Sequence, residues 1–546
     1  MEQLPSIQAG TADPIKHVVL LMLENHSFDQ MLGCFKEIYP ELEGVDPKNS
    51  HVNTDPAGNQ YKQIPTRERQ MLLDPHHEVD HVRTQLEDGN SGFVRDFSVA
   101  FPESTSEKRQ YIMGYYPLDF LPAVHRLARD FTICDHWFSS VPGPTWPNRF
   151  FALTGTCCGV VDMPEDGQHG ADIKGWFEQD QPTIFDRLSE KGIQWKSYYH
   201  DIPQTAVLVR QRLPENAAHY HHVNGFYDDA RGLESDFPAF CLIEPDFNGV
   251  DENDDHPPHD IMKAQKLIAD VYNALRVNRD LWNSTLLVVF YDEHGGFYDH
   301  IPPPAAIPPD NHKDYPFNRL GIRVPALLIS PWVARGFNST QFDHTSLLKY
   351  LIDKWGLGAL GDRAASANSI SFLIGTSGQP RTDTVDWIQL SENELQPPDP
   401  DLEEQATGFV SQHHASLITI KDYLVVKVDE ATFPVVVWFE RLIERVFGSK
   451  SDPAPFPTDD PTGIAQRYKG TKDSTQTFLT NRKEQALTRL SEIILDAKLP
   501  FEQRLDATRT LGQLIGRRLH TENKKGQTVV DSAVKFLRTH PKLVLK

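Results

Sequence analysis

Short apolar runs, each breaking off into polar text, set the rhythm of the first part of the chain. The clearest is Thr285-Leu286-Leu287-Val288-Val289-Phe290-Tyr291, which passes into Asp292-Glu293-His294-Gly295-Gly296-Phe297-Tyr298-Asp299-His300. A continuous, partly β-branched run without alternation is the pattern of a strand buried on both faces of a parallel sheet. The pattern recurs from His17 to Leu23, Phe131 to Cys134, Trp195 to Tyr199, Ala239 to Glu244 and Val324 to Ser330. Between two of these runs, Ile261 to about Leu275 carries helical periodicity, so 239–291 reads as a βαβ unit. A further helix follows Asp343, which is placed to cap it, with His344 either behind the site or on the surface. Strands alternating with helices predict an α/β fold whose strand ends gather polar residues along one edge.

Two regions depart from that rhythm. From roughly 36 to 110 the chain is polar and rich in Pro, Asp, Asn and Gly, which predicts a long excursion over the ligand-bearing edge. Beyond about 376, the Pro-rich acidic stretch around Gln396-Pro397-Pro398-Asp399-Pro400-Asp401 reads as a linker. In the tail, Leu487, Leu490, Ile494, Leu505, Leu511, Leu514 and Ile515 recur at helical spacing and mark amphipathic helices. The expected organisation is a catalytic domain over 1–375 and a linker plus mainly helical segment over 376–546. The apolar stripe of that segment faces the main domain, a second subunit in a homo-oligomer, or a lipid or protein partner.

The polar strand ends carry the chemistry. Glu24 and Asn25 follow one strand, Asp292 and Glu293 another, and together they offer hard oxygen donors suited to Ca²⁺, Mg²⁺ or Mn²⁺, with Zn²⁺ admitted if a histidine joins. Each has a plainer alternative: Asn25 or Ser27 as a helix cap, Asp292-Glu293 as a solvated turn. Gly295-Gly296 turns the chain and leaves room for substrate. The order strand, Pro142-Gly143-Pro144, Thr145, apolar helix puts Thr145 at a helix N-terminus, where it is either a cap or a hydroxyl whose anion the helix dipole would stabilise. Asn148 and Arg149 lie one turn on and are candidate phosphate contacts, Arg149 in bidentate fashion. Histidines cluster in Leu73-Asp74-Pro75-His76-His77-Glu78-Val79-Asp80-His81, a loop that supplies phosphate hydrogen bonds, a leaving-group acid or metal ligands, or is a plain surface cluster; His200 is placed to reach the site, and His300 is a further candidate phosphate contact.

Composition narrows the partners. Lys+Arg 54 against Asp+Glu 76 gives a net charge of -22, which argues against a nucleic-acid backbone as the main partner. A phosphate-bearing substrate stays open, because a bound cation inverts the local charge of an acidic cleft. The five cysteines show no repeated spacing and read as reduced thiols. No signal-peptide pattern opens the chain and no apolar run is long enough to span a bilayer, so a cytoplasmic location is the default expectation, with non-classical export as the alternative.

Glu24-Asn25-His26-Ser27-Phe28-Asp29, Gly143-Pro144-Thr145-Trp146-Pro147-Asn148-Arg149, Asp255-His256-Pro257-Pro258 and Tyr291 to His300 resemble, in this order, the signature blocks of the phosphoesterase family of non-specific phospholipases C and acid phosphatases. The resemblance spans roughly 14 to 375. It implies a three-layer α/β/α alkaline-phosphatase-like core, a divalent metal on Glu24, Asn25, Asp292 and Glu293, and Thr145 as nucleophile. It also implies roles for His256 and for one of His76 and His77, with His77 favoured, and less directly for His200. The expected function is phospholipase C chemistry on a phospholipid through a phosphothreonine, with transient membrane-surface contact. A phosphomonoesterase acting on small phosphate esters is the alternative, and a catalytically silent binding protein is the reading from another class. The largely helical C-terminal region departs from the β-rich tails of secreted bacterial members.

Overall fold

The computed structural model describes residues 13–163, 180–200, 203–247, 252–313, 315–376 and 378–397. Eight strands form one sheet. In chain order they are β1 His17–Leu23, β2 Thr132–Cys134, β3 Trp195–Tyr199, β4 Tyr220–His222, β5 Phe240–Glu244, β6 Thr285–Tyr291, β7 Ala326–Ile329 and β8 Gly336–Asn338. Their spatial order is β8-β2-β7-β6-β1-β5-β3-β4. Every residue of β1 and β6 is buried. Because successive side chains point to opposite faces, both faces of the sheet are covered, as the unbroken apolar runs predict.

The register of the central pair positions the site. β1 and β6 run parallel from His17↔Thr285 to Leu23↔Tyr291. Asp292 N–H then donates to Leu23 O at 3.0 Å, so the two polar segments leave the sheet side by side. β5 flanks β1 in parallel and ends at Glu244 on the same edge. The run at Val324–Ser330 departs from the expected parallel set: β7 lies antiparallel to both β6 and β2. Two successive reversals restore the direction, and β2 still delivers the loop to Thr145 on the active edge.

The polar stretch from 36 to 110 is more than a loop. It contains three helical segments, Val79–Gln85, Phe93–Ala100 and Ser106–Ile112. Tyr61, Met71, Val82, Phe93, Phe97, Tyr111 and Ile112 form a hydrophobic cluster there with Phe297 and Tyr298 from beyond β6. Apolar residues are too dispersed in this stretch to read as a strand run, yet dense enough to fold against the β6 exit. The helices that matter below are α1 Phe28–Leu32, α2 Val79–Gln85, α3 Thr145–Thr154, α4 Ile261–Val277 and α5 His344–Trp355. Asp343 caps α5, accepting from Thr345 N–H at 3.1 Å within a capping box. Ser27, rather than Asn25, caps α1, and Asn25 takes a left-handed conformation with φ 59°.

After residue 375 the chain continues along α4: Tyr272 Oη donates to Val385 O, and Asn273 Nδ2 to Ile388 O at 2.7 Å. The helices expected near the C-terminus lie outside the described residues.

Candidate active site

Glu24, Asn25, Asp292 and Glu293 are brought together and are all fully buried. Arg149, from the second turn of α3, stands among them, donating from Nη2 to Glu24 Oε1 at 2.8 Å and from Nε to Asp292 Oδ2 at 3.0 Å. Its guanidinium thus meets carboxylates, where the sequence suggests phosphate. Asp292 Oδ1 accepts from Glu293 N–H at 2.7 Å and faces Asn25 N–H at 3.4 Å. Burial drives Glu24 well above the usual carboxylate range against the pull of Arg149, and pushes Asp292 up to about 7. One buried guanidinium therefore does not fully compensate the acids around it.

Atoms around Arg149 lack hydrogen-bond partners. Asn25 Oδ1, Glu293 Oε1 and Thr145 Oγ1 are buried without one among the described residues. Unpaired buried oxygens on an amide and a carboxylate, beside carboxylates that burial renders too basic, fit a hard divalent cation. The donors are not drawn to a point: among the described residues, His/Cys/Asp/Glu donor atoms converge within 4.8 Å at His76/Glu78/His81 and at Asp29/Asp299/His300. Arg149, holding two of the acids, supplies part of the positive charge at this centre.

Thr145 opens α3 after Pro144, and its side chain makes no cap bond. One helical turn separates it from Arg149, so both lie on the face turned to the acids. Asn148 has another task. It accepts from Val141 N–H at 3.0 Å and donates to Gly143 O at 2.9 Å and Pro144 O at 3.1 Å, bracing the turn that presents Thr145.

The two neighbouring histidines of the 73–81 loop separate cleanly. His77 is buried, with Nδ1 donating to Pro75 O at 2.8 Å and Nε2 lying 3.5 Å from the Asn25 amide and 3.8 Å from Glu293 Oε1. Burial disfavours its charged form, but Glu293 and Asp74 outweigh that and push it up to about 10. His76 turns the other way, toward Glu78 and His81. His256 sits 6.0 Å from His77, ring centroid to centroid, with Nε2 3.8 Å from Asp74 Oδ1. Its turn is anchored by Glu24 N–H donating to Asp254 O at 2.8 Å, and by Asp254 Oδ1, which takes His256 N–H at 3.1 Å and His259 Nδ1 at 2.5 Å.

Two candidate histidines lie elsewhere. His200 Nδ1 donates to Glu244 O at 3.1 Å, and burial lowers its ring to about 4, a neutral brace between β3 and β5. His300 Nδ1 pairs with Asp29 at 2.8 Å in a second buried cluster around Arg323. Gly295 and Gly296 make room for protein: a Cβ on Gly295 would stand 2.2 Å from Asn25 O, and one on Gly296 2.7 Å from Pro75 Cβ. The glycines let the Glu24-Asn25 segment and the histidine loop close on the β6 exit.

Three more residues contribute, of which the sequence singled out only His344, as lying behind the site or on the surface. His344 donates from Nε2 to Asp292 O at 2.7 Å and accepts from Trp137 Nε1 at 3.2 Å, which fixes its neutral tautomer behind the acid. Asp74, raised to about 7 by burial, stands between the two imidazoles. Gln204 reaches Glu24 Oε1 at 3.4 Å.

A model of the phosphoesterase family matches residues 15–358. Non-specific phospholipase C3 of Arabidopsis thaliana is 32% identical over 418 residues, covering 70% of this chain and 77% of its own length. Non-hemolytic phospholipase C of Pseudomonas aeruginosa is 29% identical over 411 residues, covering 64% of this chain and 57% of that protein. Among solved structures, a protein in the alkaline phosphatase superfamily from Vibrio parahaemolyticus aligns with TM-score 0.31 and 10% identity over 76% of this chain and 90% of that one, a likeness too slight to add to the topology above.

Proposed function

This chain belongs to the phosphoesterase family and is a hydrolase of phosphoric ester bonds, and from that premise we propose that it is a metal-dependent phospholipase C, cleaving the glycerol-side ester of a phospholipid through a phosphothreonine on Thr145. Relatives named non-specific phospholipase C support the substrate class. The observation that carries the chemistry is Thr145 Oγ1, buried without a hydrogen-bond partner at the start of a ten-residue helix, one turn from the guanidinium that holds Glu24 and Asp292.

Glu24, Asn25, Asp292 and Glu293 would hold the divalent cation. When bound, it supplies Lewis-acid charge to the Thr145 hydroxyl and to a phosphoryl oxygen. The rest falls to the chain's own groups. The Thr145 hydroxyl loses its proton to solvent, the α3 N-terminus stabilises the resulting alkoxide, and that oxygen attacks phosphorus in line and displaces the diacylglycerol oxygen. His77, held as imidazolium by its carboxylate neighbours, protonates that leaving oxygen. Water then attacks the phosphothreonine, one of its protons restoring the Thr145 hydroxyl and the other returning to His77 as the phosphorylated head group is freed. Contact with a lipid surface is transient on this account. No helix among the described residues is long and apolar enough to cross a membrane.

The test is the full chain assayed on phosphatidylcholine and on a chromogenic monoester, with Thr145→Ala beside it. Phosphocholine and diacylglycerol are the expected products, and the variant should lose about 10⁴-fold or more in kcat/KM while keeping its melting temperature. Activity confined to the monoester would replace the diesterase by a phosphomonoesterase, and full activity in the variant would remove the phosphothreonine.

A further inference from the structure

Beside the oxygen-rich site, the histidine loop assembles a second donor set of different chemistry. His76 and His81 stack with ring centroids 4.3 Å apart, and one donor atom from each of His76, Glu78 and His81 lies within 4.8 Å of the others. The sequence makes this possible locally. Glu78 is the residue immediately before α2, and His81 sits in its first turn, so the chain from His76 folds back over the helix start. All three side chains are partly open to solvent, giving a cation a way in.

The surroundings are those of a ligand set rather than a chance surface group. His81 Nδ1 pairs at 2.9 Å with Asp96 Oδ1, a buried carboxylate, which leaves Nε2 as the ring nitrogen for a ligand. A carboxylate behind a ligating imidazole fixes its tautomer and raises its basicity. Asp96 is in turn held by Gln85 Nε2 at 2.9 Å, and the same Nε2 donates to His76 O at 2.7 Å. One amide thereby fixes both the backbone of one histidine and the carboxylate behind the other.

We propose that His76, Glu78 and His81 form a second cation site, of the zinc class, separate from the Glu24/Asn25/Asp292/Glu293 centre. Two imidazoles and one carboxylate favour a borderline ion such as Zn²⁺ over Mg²⁺ or Ca²⁺, and three protein ligands leave a position for water. The site is tied to the first by two bridges. Glu78 Oε2 accepts from His77 N–H at 3.1 Å, so a cation on Glu78 pulls on the backbone of the residue that faces Glu293. Gln85 Oε1 meets His294 Nε2 at 2.8 Å, the residue after Glu293. Zinc-class occupancy would therefore fix the loop that carries His77.

The experiment uses the untagged full chain, stripped with chelator and then titrated calorimetrically with Zn²⁺ in the presence of excess Ca²⁺. Wild type and Glu293→Gln should both bind one equivalent of zinc that His76→Gln/His81→Gln does not. Should the double variant melt early, Asp96→Asn keeps all three ligands and is expected to weaken zinc about 10- to 100-fold. An unchanged zinc equivalent in His76→Gln/His81→Gln, its loss in Glu293→Gln, or no zinc binding by wild type would each overturn the assignment. None of these readouts depends on turnover, so the phospholipase reading stands or falls separately.

Discussion

Two buried arginines bridge the same two segments of chain, yet their surroundings differ. Arg323 joins Asp29 and Asp299, each at 2.9 Å, and Arg149 joins Glu24 and Asp292, each pair a few residues beyond β1 and β6. Around Arg323 every carboxylate oxygen is paired, although the Oε1 of the neighbouring Gln63 is not: Nη1 reaches the carbonyls of Glu43 and Asp135 at 2.7 Å, and Gln63 Nε2, His300 N–H and His300 Nδ1 all serve Asp29 Oδ2. Asp29 is held down at about 2, since His300 and Arg323 outweigh its burial, whereas burial lifts Asp299 above its usual value despite Arg323. Around Arg149 burial drives the two acids it holds upward, while His77 outweighs burial and keeps Glu293 low, and three polar oxygens find no hydrogen bond. A satisfied cluster is a clasp; an unsatisfied one at a strand edge is a place for a ligand.

The difference predicts opposite responses to losing the arginine. Arg323→Met strands two buried carboxylates whose other partners cannot supply the missing charge, and should cost about 3–5 kcal/mol in denaturant unfolding. Divalent cation should not recover that loss. Arg149→Met should cost less in the metal-free protein, about 2 kcal/mol, because Asp292 and Glu24 already sit where protonation relieves them. Added Ca²⁺ or Mg²⁺ should then raise its melting temperature by more than it raises wild type's, since the cation takes over charge the guanidinium supplied. Equal cation rescue of the two variants would erase the distinction between clasp and site.

The sequence showed one of these clusters better than the other, for physical reasons. Glu24, Asn25, Asp292 and Glu293 follow unbroken apolar strands, and a parallel register of β1 with β6 is enough to bring them together. Thr145 was legible from the turn-then-helix pattern. Arg149, Asn148, His300 and Gly295-Gly296 were legible as special residues but not by partner: an arginine one turn along a helix meets phosphate or carboxylate according to which loop lies opposite, and spacing does not encode that. The antiparallel β7 was hidden because a strand buried on both faces has the same apolar run in either direction. The helices within 79–112 were masked by polar residues, their apolar positions becoming meaningful only against Phe297 and Tyr298.

The last effect is the most specific to charge. A carboxylate depressed from 3.8 to about 2, as Asp29 is, contributes stability that is fully present above its unfolded value and is lost as pH falls through its folded one. That contribution is about 2 kcal/mol. His300 works in the other direction. Although burial opposes its charge, Asp29 raises it above 6.5, so its contribution is complete below 6.5 and is lost as pH rises through its folded value. The Arg323 clasp should therefore hold hardest between roughly pH 4 and 6.5. Measured by urea unfolding, the deficit of Asp29→Asn should shrink as pH falls from about 4 toward 2, and that of His300→Gln should shrink as pH rises above about 6.5. Deficits that stay level across both ranges would mean that Arg323 holds these segments by packing and neutral hydrogen bonds, with its guanidinium lying 4.6 Å from the centre of the Phe28 ring, and the contrast with Arg149 would then rest on unpaired atoms alone.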